Sequence, residues 1–154
     1  FNLPPGMKFF REQNLGHTIL MGSKTIESLP KPLDRRVVFC VSNSHKELST
    51  RYALKSMSLK VAMSCSKWQS DQLKTDKIFV AGGAKLFEST FDITDELWVT
   101  EVANDVDNCD TWYKIPKEDF AMFEHTNWMD HTNPLGETLT YRFTKWVRKE
   151  NIPF

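Results

Sequence analysis

Two short stretches set glycines, hydroxyls and a cation where a chain could meet an anion. Met21-Gly22-Ser23-Lys24-Thr25 puts them at the start of a helical pattern, where free backbone N–H groups and the helix dipole favour negative charge. Ala81-Gly82-Gly83-Ala84 projects almost nothing, so its backbone can approach a ligand closely. Ser42-Asn43 closes a third apolar run. Each alone is also what plain turn chemistry looks like. Together they form a polar cradle for a dinucleotide, if they lie beyond the carboxyl ends of strands in one open sheet. Arg36 adds a planar fork suited to a carboxylate, although a salt bridge within a turn would equally account for it.

Other chemistry-bearing residues read more plainly. His17, His45, His125 and His131 are isolated, as surface or hydrogen-bonded histidines usually are. Trp98, Trp112, Trp128 and Trp146 are spread over strands and loops and read as packing rather than a stacking surface. Asp105, Asp107 and Asp110 have the composition of a calcium loop without the central glycine and closing glutamate, so a solvated loop and no metal are expected. Cys40, Cys65 and Cys109 are far apart and form no CxxC pair, which fits idle thiols in a reducing compartment.

The elements that must position the cradle follow from periodicity. Pro4-Pro5 opens a helix that runs to about Gly16, prolines being tolerated in a first turn whose N–H groups lack partners. His17–Met21 is a short apolar run, and Gly22–Leu29 a helix stopped by Pro30 and Pro32. Arg36–Ser42 and Lys77–Ala81 are continuous apolar runs of the kind that parallel strands covered on both faces display. Between them, His45–Leu54 reads as a helix, Leu59–Met63 as a strand and Ser66–Leu73 as a helix. Ala84–Phe91 is a further helix and Glu96–Val102 a further strand. Phe120–His125 and Thr138–Val147 alternate, with Asn133-Pro134-Leu135-Gly136 as the turn of an antiparallel hairpin between them.

The chain has 154 residues, the size of one domain with a real core. Twenty basic residues balance twenty acidic ones, so no field attracts nucleic acid or an anionic membrane. No run approaches the ~20 apolar residues of a spanning helix.

In sum these residues resemble the dihydrofolate reductase family. The resemblance lies in FNLPPGMKFFRE, in GHTILMGSKTIESLPKPLDRR, in VVFCVSN, in IFVAGGAKLFE, and in ELWVTEV with the downstream Asp110-Thr111. It implies an α/β fold with a mostly parallel central sheet flanked by helices and an antiparallel C-terminal hairpin, a single domain over residues 1–154. It also implies NADPH-dependent reduction of dihydrofolate. On the matching positions, Met7, Phe10, Leu29 and Leu33 line the folate pocket, Arg36 holds the glutamate carboxylate, and Thr100 joins the hydrogen-bond network of the pterin. Ala81 and Phe87 lie near the nicotinamide. Ser23, Lys24, Thr25, Ser42, Asn43, Gly82, Gly83, Ala84 and Lys85 occupy cofactor positions, and the family's Gly-Gly bond is characteristically cis.

Three departures shape the functional expectation. The family carries an Asp or Glu where this chain has Gly6; that carboxylate organises proton delivery and grips the pterin amino group, so no catalytic residue is secure. Ser23 stands in place of the Arg that pairs with the 2′-phosphate, leaving Lys24 as a point charge without the fork. Milder changes put Phe87 in place of a Tyr, and Asp34-Arg35 in place of Pro-Gly before Arg36. The match also begins after the family's first strand. The domain is therefore expected to be incomplete at its N-terminus, its sheet completed by an upstream segment or a partner chain.

The resulting expectation is a dihydrofolate-reductase-like protein with weak or lost reduction and a structural or assembly role, in the cytoplasm or another reducing compartment. The alternative is an active reductase with altered proton delivery. A third is a related pterin or nucleotide-binding reductase that needs no carboxylate at Gly6.

Overall fold

A computed structural model describes residues 3–42, 56–103 and 115–152. Contacts divide the chain into two compact units, Phe10–Phe91 and Phe1–Phe9 with Asp92–Phe154. Helix α1 is Pro4–Asn14, begun by the proline pair as expected, and the Leu15 N–H donates to the Arg11 carbonyl at 3.0 Å.

The Phe10–Phe91 unit contains β1 (Thr18–Gly22), α2 (Ser23–Glu27), β2 (Val37–Val41), β3 (Ser56–Met57), α3 (Leu59–Leu73), β4 (Ile78–Val80) and α4 (Ala84–Thr90). Its sheet is parallel in the order β3-β2-β1-β4, with Thr18 in register with both Val37 and Ile78. Strand β1 is central, and Thr18 to Met21 are buried without a break. Its apolar run does not alternate because both faces are covered. Ile19 and Met21 point to one side and pack with Ile26 and Cys40, while Leu20 points to the other and packs with Ala62 and Leu86. Ile19 and Leu20 are fully buried, so each contributes roughly 2–3 kcal/mol, and truncating either to Ala would cost about 2–5 kcal/mol.

Leu59–Met63, expected as a strand, is instead the beginning of α3, whose second half is the expected Ser66–Leu73 helix. The Ser58 hydroxyl accepts from the Val61 N–H at 3.3 Å and caps the helix start. The buried stripe is Ala62, Ser66 and Ser70, four residues apart, whereas Val61 and Trp68 face outward. Apolarity misleads here: the fully buried positions are small residues, flanked by the half-buried Leu59 and Met63, while Val61 and Trp68 are exposed. Asn43 and the expected His45–Leu54 helix lie outside the described residues, as do the loop aspartates, Cys109 and Trp112.

The second unit contains β5 (Glu96–Val102), β6 (Phe120–His125), β7 (Met129–Thr132) and β8 (Thr138–Arg148). Its sheet is antiparallel, with β5 on one side of β8 and both β6 and β7 also paired to β8. The turn at Asn133–Gly136 therefore joins β7 to β8, not β6 to β8 as the alternation suggested. Asn133 Oδ1 accepts from the Leu135 and Glu137 N–H groups and holds that turn. Met129-Asp-His-Thr132 gave no strand signal because it is short, largely exposed and polar. Leu3, Tyr141 and Phe143 form this unit's buried cluster, with Phe9 stacked on Phe143 at 4.0 Å between ring centroids.

Candidate functional site

Within the Phe10–Phe91 unit, pairing of β1 with β4 brings two of the predicted turns side by side. The Ala81 N–H donates to the Leu20 carbonyl at 2.9 Å, and the Gly22 N–H donates to the Gly82 carbonyl at 2.7 Å. The Gly82–Gly83 peptide bond is cis, and Gly82 has φ +126°, in the region that favours glycine. A β-carbon added to Gly22 would lie 3.4 Å from the Gly83 nitrogen. One added to Gly82 would lie 3.3 Å from Thr25 Oγ1. Gly22, Thr25, Gly82 and Gly83 are thus one packed constellation drawn from two separated stretches of sequence.

Helices α2 and α4 begin at Gly22 and Gly83, and neither start is capped by a side chain. Lys24 and Lys85 are exposed in the first turns of these helices, Ala84 is exposed, and Ser23 is half-buried. Phe87 lies 3.9 Å from the same built β-carbon of Gly82. Ser42 follows β2, and its N–H donates to the Met57 carbonyl at 2.9 Å.

Phe10, Leu29, Leu33 and Ala81 pack together against the Ile19, Met21, Ile26 and Cys40 cluster. Burial raises the pKa of the Cys40 thiol, against a contact to the Ser56 hydroxyl that lowers it, so this sulfur is held protonated.

The Arg36 side chain is only 4% exposed and fully engaged on one edge. Its Nε donates to the Asp34 carbonyl at 2.9 Å and its Nη2 to Asp34 Oδ1 at 3.3 Å, while Nη1 donates to Asn14 Oδ1 at 3.2 Å. Arg11 grips the same Asp34 carboxylate with both terminal nitrogens, Nη1 on Oδ1 and Nη2 on Oδ2. The Arg11 hydrogen bonds, helped by the charges of Arg11 and Arg36, pull the Asp34 pKa down to about 2 against an opposing desolvation. Burial lowers the pKa of Arg36, with the Asp34 charge opposing it. The salt bridge within a turn that the sequence allowed for Arg36 is present, to Asp34, but nothing in the sequence signalled Arg11, which lies 23 residues from Asp34.

In the other unit, Gly6 occupies the third position of α1, where a β-carbon would lie 3.8 Å from both Thr100 Oγ1 and Leu3 Cδ2. Those are ordinary contact distances, so a β-carbon would sit there without a clash, between Leu3 and the Thr100 hydroxyl. Thr100 and Met7 are exposed, Met7 at 57%. Among the described residues no group of His, Cys, Asp and Glu could hold a metal ion, and no helix is long and apolar enough to cross a membrane.

The family model described as dihydrofolate reductase matches residues 1–148. The dihydrofolate reductase of Bacillus subtilis is 27% identical, the alignment covering 98% of this chain and 84% of the relative. A bifunctional dihydrofolate reductase-thymidylate synthase of Glycine max is 28% identical over 96% of this chain, which spans only 30% of that longer protein. Among solved structures, a dihydrofolate reductase from Enterococcus faecalis complexed with NADP(H) superposes with a TM-score of 0.70 at 17% identity, over 97% of this chain and 84% of that one. With the parallel sheet, the paired glycine turns and a family match over nearly its whole length, the chain belongs to the dihydrofolate reductase family.

Proposed function

We propose that this protein keeps places for NADPH and a folate-type molecule, that its reduction of dihydrofolate is weak or lost, and that it serves a structural or assembly role. The observation that carries the reading is Gly6. The position that the family resemblance matches to an Asp or Glu has no acid here, although a β-carbon at that position would meet Leu3 and Thr100 only at ordinary contact distances.

The donor set suits NADPH in part. Two uncapped helix starts, the glycine turns, Thr25, Ser42, Lys24 and Lys85 offer N–H, hydroxyl and ammonium donors of the kind that hold a pyrophosphate. Ser23 offers no charge to a 2′-phosphate, which leaves that role to Lys24. When bound, NADPH supplies a hydride. The chain's own task is to hold the pterin and bring a proton to the neighbouring nitrogen, and at Gly6 it has nothing to do this with. General acid–base assistance is typically worth 10²–10⁴-fold in rate, so its loss alone leaves a poor catalyst.

The assembly role draws on topology: β4 and β5 are the terminal strands of their sheets, and a terminal strand is a template for another chain or segment. A second reading, an active reductase with altered proton delivery, draws on the retained Gly22, Thr25, Gly82 and Gly83 constellation.

Fluorescence titration with NADPH and with a folate analogue, followed by a dihydrofolate-dependent NADPH oxidation assay, tests these readings. Binding of both with turnover at least a hundredfold below an ordinary family member supports the first. Ordinary turnover establishes the second, and absence of any cofactor binding overturns both. Light scattering tests the assembly role: a monodisperse monomer at all concentrations, alone and in extract fractions, would contradict it.

A further inference from the structure

The Arg36 guanidinium can take a carboxylate in two-pronged fashion along its Nε–Nη2 edge, and in this chain Asp34 alone fills that edge, with its carbonyl oxygen on Nε and its carboxylate on Nη2. Nη1 is occupied by Asn14, a fully buried residue, so the third nitrogen is also committed. Arg11 also donates to both oxygens of the Asp34 carboxylate and holds it in place. The Arg36 side chain is almost wholly shielded, and a ligand carboxylate would have to displace Asp34 to reach the edge.

We propose that Asp34 is a specificity-determining residue that occupies Arg36 as an internal carboxylate, so that the chain selects folate-type ligands by their ring end and gains little from an anionic tail. The inference rests on the reading that this protein binds a folate-type molecule beside Arg36. The charge balance explains the direction. Arg11, Asp34 and Arg36 together carry one net positive charge, much of it compensated within the cluster. Removing the Asp34 charge leaves two neighbouring guanidinium groups without an anion, and a ligand carboxylate then becomes their best partner.

The test measures dissociation constants of folic acid and its uncharged α,γ-diamide, by protein-fluorescence quenching in saturating NADPH, for the full chain and its Asp34→Asn and Asp34→Ala variants. Far-UV circular dichroism checks that each is folded; Asp34→Asn keeps the shape and a hydrogen-bond acceptor for Arg11 should Asp34→Ala fail to fold. The unmodified chain is expected to bind the two compounds within about threefold of each other, and the variants to favour folic acid by about tenfold or more, the scale of a charge-assisted hydrogen bond. A tenfold or greater preference for folic acid in the unmodified chain, unchanged in both variants, overturns the role of Asp34 and leaves the binding reading standing. Failure of folded protein to bind either compound overturns the binding reading and this inference with it.

Discussion

A β-carbon built on Gly6 stands 3.8 Å from the Thr100 hydroxyl oxygen, close enough for contact and far enough to exclude a clash. A side chain at this position is therefore not excluded by a clash at its β-carbon. Gly6 lies in the first turn of α1, which contains no acidic residue. Gly6→Asp should stabilise the protein by about 0.5–1.5 kcal/mol, from removal of a helical glycine and from a negative charge near the helix N-terminus. A guanidinium unfolding curve checks this; a lower midpoint than the unmodified protein would mean that the space against Thr100 and Leu3 is not open.

The Asp34 carboxyl, near 2 in the folded chain against an ordinary 3.8, ties stability to acid. Its pairing with Arg11 and Arg36 favours the ionised form, so the contribution is fully present above about pH 4 and is lost as the pH falls from there toward 2. Both arginines stay charged over this range. The stability difference between the unmodified protein and Asp34→Asn should therefore shrink as pH drops through this window. Parallel urea curves at pH 6, 4 and 3 would show it, and a constant difference would contradict the ion-paired geometry.

Gly82 and Gly83 should respond differently to alanine. At Gly82, φ is +126° and a β-carbon would press on Thr25 Oγ1 at 3.3 Å, so Gly82→Ala should cost at least about 1 kcal/mol and weaken NADPH binding. At Gly83, φ is −88° and the nearest atom is Thr25 Oγ1 at 3.5 Å, so the stability cost should be smaller. Thermal melts with NADPH titrations of both variants decide the order, and equal losses would contradict it.

Much of the parallel half was legible because β1, β2 and β4 carry unbroken apolar runs that end in glycine or hydroxyl residues, and helices α2 and α4 begin just after the runs of β1 and β4. Leu59–Met63 was misread because a helix that buries Ala62, Ser66 and Ser70 hides its periodicity in small, partly polar residues. Strand β7 was missed because it is held by pairing with β8 and by polar side-chain bonds such as Thr140 to Asp130, which leave no apolar pattern in its sequence. The glycine turns could be read from residue type, and Arg36 was open to a salt bridge within its turn, whereas the part of Arg11 in the cluster could not be read. It depends on α1 and the loop before β2 meeting across 23 residues, and on Arg35 adopting a left-handed φ of 53° between Asp34 and Arg36. Nothing in the residue types encodes that encounter.

The central claim is that the absence of an acid at Gly6 limits turnover of dihydrofolate. Dihydrofolate-dependent NADPH oxidation, measured as kcat at neutral pH for the unmodified protein and for Gly6→Asp, tests it most directly. The account predicts a rise of 10²-fold or more on restoring the carboxylate, within the range expected for general acid–base assistance. Turnover of the unmodified protein already at the level of ordinary family members, with no gain from Gly6→Asp, would contradict it.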